Sequence, residues 1–274
     1  MYSSRIFEFL RGSSKGEFPK KLNTLWAQGW GSAPDLVKFN LGRWAELNPD
    51  YSIMTFDYSS GAERIGEFPI DLSTLSVQAF SDVLRAKILM EEGGVWVDAT
   101  VLPTVPLSSW LGSCLRRASF FAYEAPAADR LVSSWFIAAR RGSLIMERWW
   151  DATVTYWCKP RELAYDDTGR VLVPSDPADS ISPDVGALWD IYPYFWFHYL
   201  FSYLVKTDRR FRRAWAKTPK KSAVGPHTLQ ALFEENLSPA TDKVSKAFQT
   251  AEMQKLHRHG DYPLDILASC SYGR

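Results

Sequence analysis

The 274-residue chain is short of cysteine, of net charge and of long hydrophobic runs, and each shortage removes a class of protein. Cysteine occurs three times, at Cys114, Cys158 and Cys270, with no C-x-x-C spacing. That excludes a disulfide scaffold and a thiolate zinc site, and it favours a reducing cytosol with free thiols. Lys+Arg 32 against Asp+Glu 31 leaves a net charge of +1. No global field gathers a polyanion, so no nucleic-acid partner is expected. No apolar run approaches the roughly 20 residues that a bilayer-spanning helix needs. The greasiest stretch, Ile191 to Val205, is interrupted by Pro193, His198 and Ser202 and reads as a buried helix. Met1 to Glu8 has no apolar segment followed by a small-residue cleavage site, so no secretory signal is expected there. P-loop, G-x-G-x-x-G and H-E-x-x-H motifs do not occur.

Aromatic residues run the other way: 12 Trp, 12 Tyr and 16 Phe make 15% of the chain. Such residues bury large areas and stack on flat apolar faces, so the excess suits a heavy core or a surface that meets sugar or lipid. Hydrophobic content of 46% and charged content of 23% are those of an ordinary globular protein.

Lys21 to Trp26 reads as a first strand, ending at Gly29-Trp30-Gly31. Ser32 is placed to cap a helix opening at Ala33-Pro34 and closing at Asn48-Pro49, with Val37, Leu41, Trp44 and Leu47 on one face. Tyr51 to Phe56 follows as a second strand, which makes a βαβ unit and a parallel sheet. Ser76 to Glu92 reads as a long helix stopped by Gly93, and Gly94 to Val97 as a short strand ending on Asp98. Ser119 to Glu124 and Trp135 to Ala139 read as strands, and Leu144 to Trp157 as a helix. Pro160 to Pro183 reads as a long surface loop. Tyr194 to Ala216 and Thr228 to Asn236 read as helices. These elements make one α/β domain over 1–274 with a helical C-terminal portion.

Chemistry concentrates in Ser81-Asp82-Val83-Leu84-Arg85 and Gly93-Gly94-Val95-Trp96-Val97-Asp98. Asp82 and Arg85 are three apart and share a helix face. Asp98 falls at the carboxyl end of a strand, the edge where open α/β sheets bind ligands. An acid there, with an Asp/Arg pair on the preceding helix, suits a nucleotide sugar. The competing reading is a helix-stop glycine pair, a turn-capping Asp and a surface ion pair.

These two runs resemble the DXD-type sugar-binding region of glycosyltransferases, most closely the bacterial capsular polysaccharide synthesis family, relatives of the yeast initiating mannosyltransferases. Further pieces resemble that family in the same order: Trp26 with Gly29-Trp30, Ala33 to Val37, Asn48 to Tyr51, Ser134 to Ala139, Tyr194 to His198, and Lys255 to His257. The resemblance implies a GT-A fold, a Rossmann-like mixed sheet flanked by helices. It implies a nucleotide-sugar-binding half at about 20–125 and an acceptor half at about 126–274. It also implies transfer of a hexosyl unit from a UDP- or GDP-sugar, with retention, to a capsular or related surface glycan or a lipid-linked glycan. Carried over residue by residue, Asp98 and Asp82 are the catalytic candidates. Trp26, Asp82, Arg85, Gly94, Asp98 and Thr100 are donor-binding candidates, and Trp135 and His198 face the acceptor. A divalent metal, commonly manganese, is implied on Asp98, with His257 as a further ligand; His259 is the alternative late histidine.

The chain departs from the motif where Thr100 replaces its second acid, which leaves the metal requirement open. Solvation is the plain alternative for His257, and core packing for His198, Trp26, Trp30 and Trp135. Arg209-Arg210-Phe211-Arg212-Arg213, with Trp215, Lys217, Lys220 and Lys221, is the one basic cluster. It suits peripheral contact with the inner face of a membrane, or simply a solvated helix end. Gly12 to Gly16 matches G-x-S-x-G in letters, but Glu17-Phe18-Pro19 follows where an elbow needs a helix, so it reads as a loop. The alternatives to a transferase are a non-catalytic nucleotide-sugar- or glycan-binding relative and, last, a glycoside hydrolase, for which no carboxylate pair is marked by spacing.

Overall fold

The computed structural model describes residues 17–166, 168–176, 178–182, 190–235 and 239–272. The Gly12–Gly16 loop and Asn236 lie outside them. Strand β1 (Lys21–Leu25) leads through a turn into helix α1 (Asp35–Leu47) and strand β2 (Ser52–Phe56), and β1 and β2 pair in parallel with Leu22 opposite Ile53. The βαβ unit is therefore present. Ser32 is not its cap: its hydroxyl donates to Gln28 and Gly29 carbonyls within a tight turn, and Pro34 stands at the cap position. Asn48 ends α1, its amide donating back to Trp44 O and its Oδ1 accepting from Leu107 N.

Asp57, directly after β2, opens a helix. Its carboxylate accepts from Ser60 N while Ser60 Oγ accepts from Asp57 N, a reciprocal cap on α2 (Tyr58–Ile65). Helix α3 (Val77–Glu91) is capped by Ser76, whose Oγ accepts from Ala79 N. Its Phe80, Val83, Leu84, Ile88 and Leu89 are fully buried. Gly93 and Gly94, at φ +72° and +92°, turn the chain into β3 (Gly94–Val97). A Cβ on Gly93 would lie 2.6 Å from Arg141 N, and one on Gly94 2.7 Å from Lys21 O. Only glycine fits either place.

β3 is buried throughout, as a central strand covered on both faces must be, and so reads as an unbroken apolar run. β4 (Val101–Pro103) and the short helix α4 (Leu111–Cys114) follow. Strands β5 (Phe120–Ala127) and β6 (Arg130–Ala139) form a hairpin longer than its sequence suggests. The main sheet has the order β2-β1-β3-β6-β5, with β6 antiparallel to β3 and Val97 opposite Phe136. This is the mixed, helix-flanked α/β sheet expected of a GT-A-type domain.

Helix α5 (Leu144–Tyr156) packs on the α3 side, where Trp149 stacks on Phe197 at 3.8 Å between ring centres. The stretch read as one loop over Pro160–Pro183 carries a short strand β7 (Glu162–Leu163), paired in parallel with β8 (Ile191–Tyr192). The helix read over Tyr194–Ala216 is two, α6 (Trp196–Thr207) and α7 (Arg209–Ala216), because the Asp208 carboxylate caps the second by accepting from Arg210 N and Phe211 N. Helices α8 (Val224–Glu235) and α9 (Thr241–Phe248), strand β9 (Met253–Lys255) and helix α10 (Leu264–Tyr272) complete the chain. β9 runs antiparallel to β4, with Val101 opposite Lys255. Among the described residues no helix is long and apolar enough to cross a membrane. Most of the aromatic excess is core: Trp96, Trp149, Trp157 and Trp196 are fully buried.

Candidate active site

The carboxyl ends of β1 and β3 open on a cleft of about 390 Å³, walled by α3 on one side and by β6, α6 and β9 on the others. That volume lies in the range of small-ligand sites. Of the residues singled out in the sequence, Trp26, Asp82, Arg85, Asp98, Thr100, Trp135 and His198 all line it. Gly94 does not. It sits at the opposite end of β3 from Asp98, where its backbone conformation and the approach of Lys21 O account for it. His257 is also outside the cleft, exposed; its neighbours Lys255 and Arg258 line the wall instead.

Asp98 is placed by a turn that several elements pin down. Its N–H donates to Trp135 O, Val101 N donates to Asp98 O, Asn40 Nδ2 donates to Ala99 O, and Leu256 N donates to Thr100 O. Its Oδ1 accepts from Arg85 Nη2 at 3.2 Å and from the Trp96 indole at 3.1 Å, and its Oδ2 is 3.7 Å from Lys255 Nζ. Burial alone would raise the Asp98 pKa, but Arg85 and Lys255 outweigh it and hold the carboxyl below its ordinary value. Asp98 is thus a fixed anion at the cleft floor.

Arg85 has a different task from the one its sequence position suggests. Its Nε and Nη2 donate to Ser81 O and Oγ, Nη1 donates to Ser134 O and meets Asp82 at 3.0 Å, and Nη2 also reaches Asp98. Four of the five guanidinium N–H groups donate hydrogen bonds within the protein, and Nη1 also forms an ion pair with Asp82. Arg85 therefore holds the two carboxylates in place, with most of its donors spent inside the protein. Asp82, almost wholly buried, is pushed up to about 7 by burial, against the pull of Arg85 and with the help of the Asp98 charge.

His198 is buried on α6, and its pKa is lowered to about 3 by burial and by Arg130 and Arg85, so it is neutral at physiological pH. Among the described residues its Nδ1 has no hydrogen-bond partner, and neither do the indole nitrogens of Trp26 and Trp135. Trp110, Trp157 and Trp196 are likewise unpartnered away from the cleft, so an indole alone marks nothing. The imidazole in the cleft wall carries more weight, since a buried polar atom left unpaired costs about 1–3 kcal/mol. Trp135 stacks on Tyr123 at 5.1 Å and meets His227 edge-on at 5.7 Å.

The cleft residues do not suit a resident divalent metal. Hard cations want several oxygen ligands, but one Asp98 oxygen is held by Arg85 and Trp96 and the other faces an ammonium. Thr100, in place of the second acid, accepts from Lys255 Nζ at 2.5 Å. Among the described residues no group of three His, Cys, Asp or Glu is placed to hold a metal ion. Trp96 and Lys255, the two residues that complete the Asp98 environment, stood in the sequence only within longer runs, Gly93–Asp98 and Lys255–His257, and were not named as site residues.

In the basic cluster, Phe211 and Trp215 point into the core, and Lys220 lies over the Trp215 ring. Only cations, without interleaved aromatics, face outward there.

The cleft thus sets two carboxylates, Asp82 and Asp98, among four cations, Arg85, Arg130, Lys255 and Arg258, at the carboxyl edge of a mixed, helix-flanked sheet. The chain belongs to the capsular polysaccharide synthesis protein family, whose model matches residues 3–165 and 190–265. No curated protein matches it. Similar solved structures include a glycosyltransferase involved in the glycosylation of the major capsid of PBCV-1, at 9% identity, TM-score 0.45, covering 91% of this chain and 97% of that one. Others are the ligand-free glycosyltransferase domain from the YGT toxin (10% identity, TM-score 0.42, 75% and 80% covered) and the PaToxG glycosyltransferase (15%, 0.38, 86% and 88%).

Proposed function

We propose that the protein is a hexosyltransferase that moves a sugar from a UDP- or GDP-hexose, with retention, onto a capsular or related surface glycan, free or lipid-linked. The observation that carries this reading is the pair of carboxylates, Asp82 and Asp98, bridged by Arg85 at the carboxyl edge of β3. In the reaction, the bond from C1 to the diphosphate oxygen breaks with its electron pair leaving on phosphate. An acceptor hydroxyl bonds C1 and releases its proton. Asp98, anionic and aimed into the cleft, accepts hydrogen bonds from donor hydroxyls. Asp82, a carboxyl poised near neutrality, is suited to holding or passing a proton. Trp26 and Thr100 complete the donor side. Trp135 offers a flat face and His198 a neutral ring to the acceptor.

Nucleotide release from a panel of UDP- and GDP-hexoses tests this. Asp98→Asn is expected to lower the rate by about 10²–10³, the scale seen when one charge-stabilising group is removed from an active site. Unchanged turnover in that variant would remove Asp98 from the site, and no turnover by the wild type on any donor would leave a binding protein.

A further inference from the structure

A diphosphate leaving group brings negative charge to a cleft floor already occupied by Asp98, and some cation must meet it. Arg85 spends four of its five N–H groups within the protein. Arg130 also lines the cleft, with its Nε on Asp129 and its guanidinium 3.7 Å above the Phe195 ring. Arg258 is exposed, with Nε on His259.

Lys255 differs from all three. Its Nζ donates to Thr100 Oγ1 at 2.5 Å, lies 3.7 Å from Asp98 Oδ2 and makes a long 3.5 Å contact with Leu256 O. An ammonium has three N–H groups, and Thr100 takes only one at short range. The side chain is 20% exposed, on the cleft wall.

The fold delivers it there with little freedom. Lys255 sits opposite Val101 in the β4–β9 ladder, next to the turn that carries Asp98. Gln254 before it is fully buried, accepting from Leu229 N and donating to Ala247 O, and Leu256 after it bonds Thr100 O. Burial works against the Lys255 charge and Asp98 works for it; an arriving diphosphate would act with Asp98.

We propose that Lys255 binds the diphosphate of the nucleoside-diphosphate donor, supplying from the protein the positive charge that a divalent ion supplies beside a two-acid motif, so that donor binding requires no metal. The inference rests on the glycosyltransferase reading above. As the C1–oxygen bond breaks, the electron pair stays on the phosphate oxygen and the ammonium stabilises it without giving up its proton. The acceptor's proton goes to solvent, and no further reactant is needed.

The test is titration calorimetry of UDP, GDP, UMP and GMP on the wild type, Lys255→Gln and Lys255→Arg, each with EDTA and again with Mn²⁺. The wild type is expected to bind one nucleoside diphosphate in EDTA and to prefer it over the monophosphate. Lys255→Gln should lose at least about tenfold in diphosphate affinity, as for one charged hydrogen bond. The preference should collapse there and survive in Lys255→Arg. A lysine that merely braced Thr100 would affect mono- and diphosphate alike. Diphosphate binding that appears only with Mn²⁺, or a preference intact in Lys255→Gln, overturns the proposal. No binding of any nucleotide, with or without Mn²⁺, overturns the glycosyltransferase reading and this inference with it. Should Lys255→Gln fail to fold by circular dichroism, the wild-type comparison of EDTA with Mn²⁺ decides alone.

Discussion

At Asp82, burial and charge oppose each other within one side chain. The carboxyl titrates at about 7 in the folded protein against 3.8 in an unperturbed chain. The folded state therefore holds the proton more tightly than the unfolded one. The stability this contributes is complete below about pH 4 and is lost as pH rises through about 7. Asparagine at the same place does not titrate, so the melting temperature of Asp82→Asn relative to wild type should climb between pH 4 and 8. Each unit of pKa shift is about 1.4 kcal/mol, roughly 2–4 °C in a domain of this size. A difference that stays flat over that range would show that Arg85 keeps Asp82 ionised throughout. Asp98 is the converse case, since the same arginine together with Lys255 keeps it anionic.

The elements that bear the site are set by short-range chemistry, and most of it is visible in the chain. Ser76 caps α3, Gly93-Gly94 ends it, and three apolar residues, Val95, Trp96 and Val97, carry the chain to Asp98. Gly94→Ala isolates the backbone role of the second glycine. A Cβ there meets Lys21 O at 2.7 Å on a positive-φ backbone, a strain of about 1–3 kcal/mol before any clash. The melting temperature should fall by several degrees while donor affinity stays that of the wild type; a selective loss of donor affinity would restore Gly94 to the binding site. Other boundaries were hidden. Asp57 looks like the end of a strand until Ser60 is seen to complete its cap, and Asp208 lies inside an unbroken aromatic and basic run that reads as one helix. Each is a single polar residue whose effect depends on which N–H groups face it, and periodicity is blind to that.

Across the whole molecule, the cleft joins residues from Leu25 to Arg258. The acids come from α3 and the end of β3, Trp135 from the neighbouring strand β6 and His198 from α6. Separate elements predict separable kinetics. His198→Ala should raise KM for sugar acceptors by about tenfold, the loss of one buried hydrogen bond, while donor hydrolysis by water alone continues. Equal loss in both reactions would place His198 on the donor.

By itself the chain determined the βαβ start, the α3–Gly-Gly–β3 passage and the position of Asp98 at a strand's carboxyl end. Those follow from repeats of two and 3.6 residues and from the few residue types that cap or turn a backbone, all within about fifteen residues. Tertiary structure alone decided what surrounds that acid. Arg85 ties two carboxylates to Ser81 and Ser134, Trp96 turns its indole back onto Asp98, and Lys255 arrives 155 residues after Thr100 to bond the hydroxyl that stands in the place of the second acid. His257, two residues further on, stays outside. The pairing of β9 with β4 makes that choice, because the ladder ends at Lys255, opposite Val101 and beside the Asp98 turn, and His257 lies beyond it.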